Sequence, residues 1–245
     1  MIKHYLKVAF RNLMKYKMQS FVSIIGLAVG FTCFALSALW IRYEMTYDNF
    51  HKGSDRIYMV RAHYANEPGT SKFTPYPLME YLQDKMPEIE AATAFTPHHV
   101  KFRLEETEQE VGMIDADSVF MNFFDIQLLK GTVNFLKSDG QEVAITKEFA
   151  KRLFSKEEDA LGKEVEVGRR VCKIGAIVSG WSNHSNIPYN ILAPARHSPR
   201  WGSSNEQLFI RVRERTDIDA FRTKMSTVHI NDIEKESELS DLLIT

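Results

Sequence analysis

The chain has 245 residues, with 31 Lys and Arg against 32 Asp and Glu, so its formal net charge is −1. That near-neutral total hides a basic start: Lys3, Lys7, Arg11, Lys15 and Lys17 stand in residues 1–20 without an acid, while residues 42–245 hold the other 26 basic residues and all 32 acids. So few basic residues beside an apolar run argue against nucleic acid as a partner, and two cysteines, Cys33 and Cys172, cannot build a disulfide framework.

Lys3, Lys7, Arg11 and Lys15 recur at helical spacing opposite Ile2, Leu6, Phe10, Leu13 and Met14. This predicts an amphipathic helix over residues 1–20 whose cationic face suits the headgroup layer of a membrane or a cytoplasmic partner. Residues 21–41, FVSIIGLAVGFTCFALSALWI, contain no charge. As a helix they span roughly 31 Å, which matches a hydrocarbon core of about 30 Å. A cleaved signal peptide has a shorter apolar core, and a lipoprotein signal needs small residues where Phe31 and Thr32 precede Cys33. A transmembrane helix is the reading, with Trp40 and Tyr43 at its interfacial end. Five basic residues before it, and only Arg42 close after it, predict a cytoplasmic amino terminus and a periplasmic remainder. Gly26 and Gly30 form a small-xxx-small pair that would let another helix approach. No other stretch reaches twelve consecutive apolar residues.

Beyond a polar connection at residues 47–55, residues 57–60 read as a strand and Glu67-Pro68-Gly69 as a turn. Thr74 followed by Pro75 predicts a helix start, continued by Leu78, Leu82 and Met86 until Pro87. Residues 91–95, 100–104 and 110–115 read as three strands. Asp117-Ser118 with Phe120, Phe123 and Phe124 predicts a helix running to near Gly131. Residues 143–145 form a short strand, and Thr146 caps a helix bearing Phe149, Ala150, Leu153 and Phe154. Strands at 164–167 and 171–178 flank Gly168. A loop at 198–205, a strand at 207–212 and a helix at 218–228 follow, and the charged stretch 234–240 reads as frayed. Helices and strands without regular βαβ alternation predict an α+β fold.

No catalytic or metal pattern emerges. HExxH, CxxC, Walker A and GxGxxG motifs are all missing. His98 and His99 are adjacent, which sends their side chains to opposite faces of a strand. Gly180-Trp181-Ser182 begins like a nucleophile elbow but has His184 where glycine is required. Asn183-His184-Ser185 fits a glycosylation sequon that only a eukaryotic secretory route would use. Catalytic, cofactor and metal residues are therefore expected to be none.

Several stretches in order carry a family resemblance. The opening YLKVAFRNLMKYKMQSFVSIIGLAVGF has a basic elbow and an I-G-L-A-x-G core, and Tyr47-Asp48-Asn49-Phe50-His51 and Arg56-Ile57-Tyr58 follow it. Thr74-Pro75-Tyr76-Pro77-Leu78, Met86-Pro87-Glu88-Ile89, Leu129-Lys130-Gly131, Ile145-Thr146-Lys147 and Leu161-Gly162-Lys163 extend the likeness across nearly the whole chain. The chain resembles the amino-terminal part of an ABC transporter permease of the MacB/FtsX-like family. The resemblance implies a periplasmic core domain at 42–245 in two parts, one porter-like (48–104 with 205–245) and one inserted (105–204). It implies a bacterial inner-membrane location, a cytoplasmic ABC ATPase partner, and either the remaining permease half or a homodimer partner. A periplasmic or outer-membrane protein is a further implied partner. The implied role is non-catalytic mechanotransmission for export or lipoprotein handling. Family permeases also carry three further membrane helices that this sequence lacks, so a truncated permease is the expectation. The alternative is a standalone single-pass anchored sensor or protein-interaction module.

Overall fold

A computed structural model describes residues 2–45, 53–64, 68–154, 156–181, 185, 187–228 and 239–245. The chain folds as two separate units, Met1–Tyr47 and Asp48–Thr245.

The first unit is two helices, α1 (Ile2–Lys15) and α2 (Lys17–Glu44), separated where Tyr16 leaves helical geometry at φ −111° and ψ 55°. The amphipathic helix thus ends before residue 20, and α2 begins earlier and ends later than the apolar stretch 21–41. Nothing in Lys17, Met18, Gln19, Arg42 or Tyr43 stops a helix once it is nucleated, so the apolar run propagates into its polar flanks. At 28 residues α2 is about 42 Å long, enough to cross a bilayer. It is the one helix among the described residues long and apolar enough to do so. None of its residues is buried within the chain.

The second unit is a mixed α/β domain. In chain order it contains β1 (Ile57–Tyr64), β2 (Thr70–Ser71), β3 (Thr74–Pro75), α3 (Pro77–Lys85), β4 (Ile89–Leu104), β5 (Thr107–Ala116), α4 (Ser118–Phe123) and β6 (Leu128–Gly131). Then come β7 (Glu142–Thr146), α5 (Lys147–Leu153), β8 (Glu164–Val167), β9 (Arg170–Val178), β10 (Ile191–Pro194), β11 (Ser204–Val212), α6 (Ile218–Ser226) and β12 (Leu239–Ile244). The sheet runs β12-β1-β11-β4-β5-β10-β7-β9-β6. Its pairs are antiparallel except β5 with β10 and β7 with β9.

Three apolar clusters hold it together. On one sheet face, Val60, Ala62, Leu208 and Ile210 pack beneath Leu78 and Leu82 of α3 and Phe221 and Met225 of α6. A second cluster is aromatic: the fully buried Phe95 sits 4.8 Å from Phe120 and 5.5 Å from Phe209, ring centre to ring centre. A third gathers Phe102, Phe149, Ile145, Ile174 and Ile191 under α5. Each buried ring contributes about 1.5–3 kcal/mol of hydrophobic stabilisation. Three helix starts are capped by side chains: Asp117 Oδ1 accepts from Phe120 N at 2.8 Å, Thr146 Oγ1 accepts from Phe149 N, and Asp217 Oδ1 accepts from Asp219 N and Ala220 N.

Several sequence expectations change. Thr74-Pro75 does not start a helix. Thr74 donates its hydroxyl to Glu206 O, β3 pairs with β11, and the helix begins at the second proline, Pro77, which fits the first helical turn equally well. The strands expected at 91–95 and 100–104 are one continuous strand, β4. The helix after Asp117 stops at Phe123, where Phe124 and the left-handed Asp125 (φ 54°) break it, and residues 128–131 form β6. Leu239 and Ser240 are not frayed but lie in β12, paired with β1. The strand β10 had no counterpart in the sequence reading. Residues 47–51, Glu67, Ser182, Asn183, His184 and 234–238 lie outside the described residues.

Candidate functional site

Two features invite a functional reading, one in each unit. In the first, Lys7, Arg11 and Lys15 of α1 are exposed along a single helix face. Lys3 belongs to the same helix, though its side chain lies outside the described residues. On α2, a Cβ built at Gly26 or Gly30 would meet no atom of this chain within 4 Å. Neither glycine is therefore demanded by packing inside the chain.

In the second unit, an ionic cluster that no sequence pattern announced joins four separate segments. His197, in the loop after β10, is 17 % exposed at its side chain and stands between two carboxylates. Its Nδ1 lies 2.9 Å from Glu206 Oε2, and its Nε2 lies 3.5 Å from Asp117 Oδ2. The ring stacks face to face on Tyr76, centroids 4.0 Å apart and planes 11° from parallel. Glu206 is the third residue of β11 and is only 5 % exposed. Asp117 does double duty as the cap of α4, and Tyr76 immediately precedes α3.

Burial works against a charge on His197, but the ion pair with Asp117 and the hydrogen bond and field of Glu206 overcome it and push its pKa up to about 9. Burial likewise opposes the Asp117 charge. The ion pair with His197 and the hydrogen bond from the Phe120 amide win, and the carboxyl is held below its usual range. Burial, then the neighbouring Asp117, Glu80 and Glu206 charges, raise the Tyr76 phenol. His197 is thus an imidazolium at neutral pH and has no free basic nitrogen for proton abstraction. The cluster is a clamp between segments.

A pH dependence follows. The folded pKa of about 9 exceeds the unfolded 6.5, so the contribution of His197 is fully present below pH 6.5 and is lost as pH rises through 9. Between pH 7 and 10 that loss is on the order of 2 kcal/mol. Urea unfolding of the wild type at a series of pH values should show it, and the His197→Gln variant should show a flatter slope over the same interval. Equal slopes would remove the charge from the account.

The other residues weighed from sequence do not converge. His98 Nδ1 is 4.0 Å from Asp115 Oδ2, and His99 sits next to it on β4. Cys33 is exposed on α2, whereas Cys172 is buried in β9, where burial raises its thiol pKa. Among the described residues, no three His, Cys, Asp or Glu side chains are grouped as a metal ion would require.

Residues 20–228 match the family described as the MacB-like periplasmic core domain. This chain belongs to that family. The match starts just before the apolar stretch of α2 and ends just after α6, so in this MacB-like protein it takes in most of α2 and the second unit as far as α6, leaving out α1 and β12.

Solved structures share the fold. A domain assigned to a permease protein of Porphyromonas gingivalis superposes with a TM-score of 0.64 at 19 % identity, covering 80 % of this chain and 91 % of that one. The extracellular domain of YknZ, a noncanonic ABC-type transporter from Gram-positive bacteria, gives 0.56 at 14 % identity, with 77 % and 99 % covered. The periplasmic region of MacB from Actinobacillus actinomycetemcomitans gives 0.54 at 12 % identity, with 78 % and 88 % covered. No curated protein matches the sequence. The MacB-like domain is that of a transporter permease family, joined here to one apolar amino-terminal helix.

Proposed function

We propose that this chain is the membrane-anchored periplasmic core portion of an ABC transporter permease, a non-catalytic part that passes motion of a cytoplasmic ATPase to the periplasm. The observation that carries the reading is the coupling, in one polypeptide, of a MacB-like core to a helix with an uncharged stretch at 21–41 and a cationic amphipathic helix before it. The excess of Lys and Arg ahead of α2 favours a cytoplasmic amino terminus and a periplasmic core, in the inner membrane of a bacterium. Residues 48–104 with 205–245 form the porter-like part of this reading, and residues 105–204 form the inserted part. Gly26 and Gly30 would receive a helix of the permease assembly or of a second copy. The core would meet a periplasmic or outer-membrane protein, and its task would be export or lipoprotein handling.

In this scheme α1 is the elbow that meets the ATPase. Replacing Lys3, Lys7, Arg11 and Lys15 together with Gln in the assembled complex should cut ATPase co-purification at least about tenfold, since each cation near an anionic surface is worth about 1 kcal/mol. Unchanged co-purification would dismiss the elbow role. Protease shaving of spheroplasts should degrade the core, and its full protection would reverse the orientation.

A further inference from the structure

Alternation along β1 divides its side chains. Val60 and Ala62 face α3 and α6, so Ile57 and Met59 face the other side of the sheet, where Met59 pairs with Phe209 of β11. Phe124, at the end of α4, and Ile187 rise opposite that face and leave a cleft of about 350 Å³. That volume falls within the ~300–1,000 Å³ typical of small-molecule sites, and is far too little for a docked helix about 10 Å across. The walls are mostly apolar, and Met59 adds the adaptability of an unbranched thioether.

Ser54, Ser185 and Thr245 add small polar groups to this lining, and two longer polar side chains, Gln207 and Lys72, interrupt it. Gln207 lines the cleft and is 2 % exposed, yet its Oε1 has no hydrogen-bond partner among the described residues. A buried amide left unpaired costs about 1–3 kcal/mol, and a turn about its last torsion offers either its oxygen or its nitrogen to a guest. Lys72 is exposed at the rim, with Nζ 5.4 Å from the Phe73 ring, and forms no ion pair among the described residues. An apolar trough with one deep amide and one cation at its lip is complementary to a particular molecule. It needs a hydrocarbon body, one hydrogen-bonding group along its length and a single negative head.

We propose that this cleft binds a single-chain anionic amphiphile bearing a hydroxyl or an amide N–H. Its chain lies among Ile57, Met59, Phe124 and Phe209, its polar group meets Gln207, and its head meets Lys72. No bond is made or broken.

The test uses the full chain in lipid nanodiscs, titrated with dansylamino-undecanoate, which carries a carboxylate, an alkyl chain and a sulfonamide N–H. Empty discs serve as the blank. A saturable rise in dansyl emission above that blank is expected. Met59→Glu places a carboxylate against the chain and should weaken binding more than about tenfold. Lys72→Glu, at an exposed position that folding does not depend on, should weaken it about fivefold and favour dodecyltrimethylammonium as a competitor. No saturable signal from the wild type would overturn the proposal. So would a Lys72→Glu protein with unchanged affinity and no gain for the cationic competitor, or a Met59→Glu protein that melts like the wild type and binds as tightly.

Discussion

Replacing His197 with leucine should destabilise the MacB-like core by about 3–5 kcal/mol, because it removes the cation that balances a buried carboxylate. Glu206 is 5 % exposed and gives His197 its shortest contact, at 2.9 Å. Without the imidazolium, that carboxylate must protonate, drag in water or force the loop after β10 open. Asp117 loses part of what holds it charged, and the cap of α4 weakens with it. For a domain of this size the loss corresponds to a fall in melting temperature on the order of 10 °C. The double variant His197→Leu with Glu206→Leu separates causes. It removes the stranded charge along with its partner and should recover a large part of the loss. A single variant costing under about 1 kcal/mol would mean that solvent reaches Glu206 freely.

Gly131→Ala should be nearly as damaging, for a reason that has nothing to do with charge. Gly131 ends β6 at φ +82°, and a Cβ built there would lie 2.2 Å from Gly175 O and 2.8 Å from the Ala176 Cα. Both obstacles are backbone of β9, paired to β6 itself, so neither can swing away. The left-handed conformation costs a non-glycine residue about 1–2 kcal/mol, and displacing β6 from β9 adds to it, for an expected total of about 3 kcal/mol or more. Gly168→Ala is the matched control. Its φ is +63°, but a Cβ there meets nothing within 4 Å. Chemical unfolding should give Gly168→Ala the conformational cost alone. Equal losses at the two sites would show that β6 yields without resistance.

The parts of the fold legible in the sequence were those encoded locally. The uncharged run at 21–41 announced α2 because lipid solvation is decided by composition over one stretch. Thr146 announced α5 because a cap and its recipient amide lie three residues apart. Where two local signals competed, the sheet decided. Thr74-Pro75 and Pro77 both offer a helix start, and pairing with β11 claimed the first. Gly131 looked like a helix terminator, yet its positive φ serves the end of a strand that only β9 explains. The cluster at His197 was not legible at all. Its members come from positions 76, 117, 197 and 206, and no periodicity links them. The same holds for the cleft, since Met59, Phe124 and Gln207 line it only after β1, α4 and β11 have assembled. By contrast, the basic spacing of α1 was plain from the sequence, because one helix carries all of it.

Strand β4 has one more consequence. Residues 89–95 are laddered to β11, and residues 96–104 to β5, without interruption of the strand. At about 3.3 Å per residue its 16 residues form a single continuous member with a contour of roughly 50 Å. The two flanks of the sheet are thus bolted to the same tie rod, in addition to the loop that carries His197 from β10 to β11. A pull entering at Ile89 arrives at Leu104 through covalent bonds, whereas sliding one flank past the other would have to shear a whole row of ladder hydrogen bonds at once.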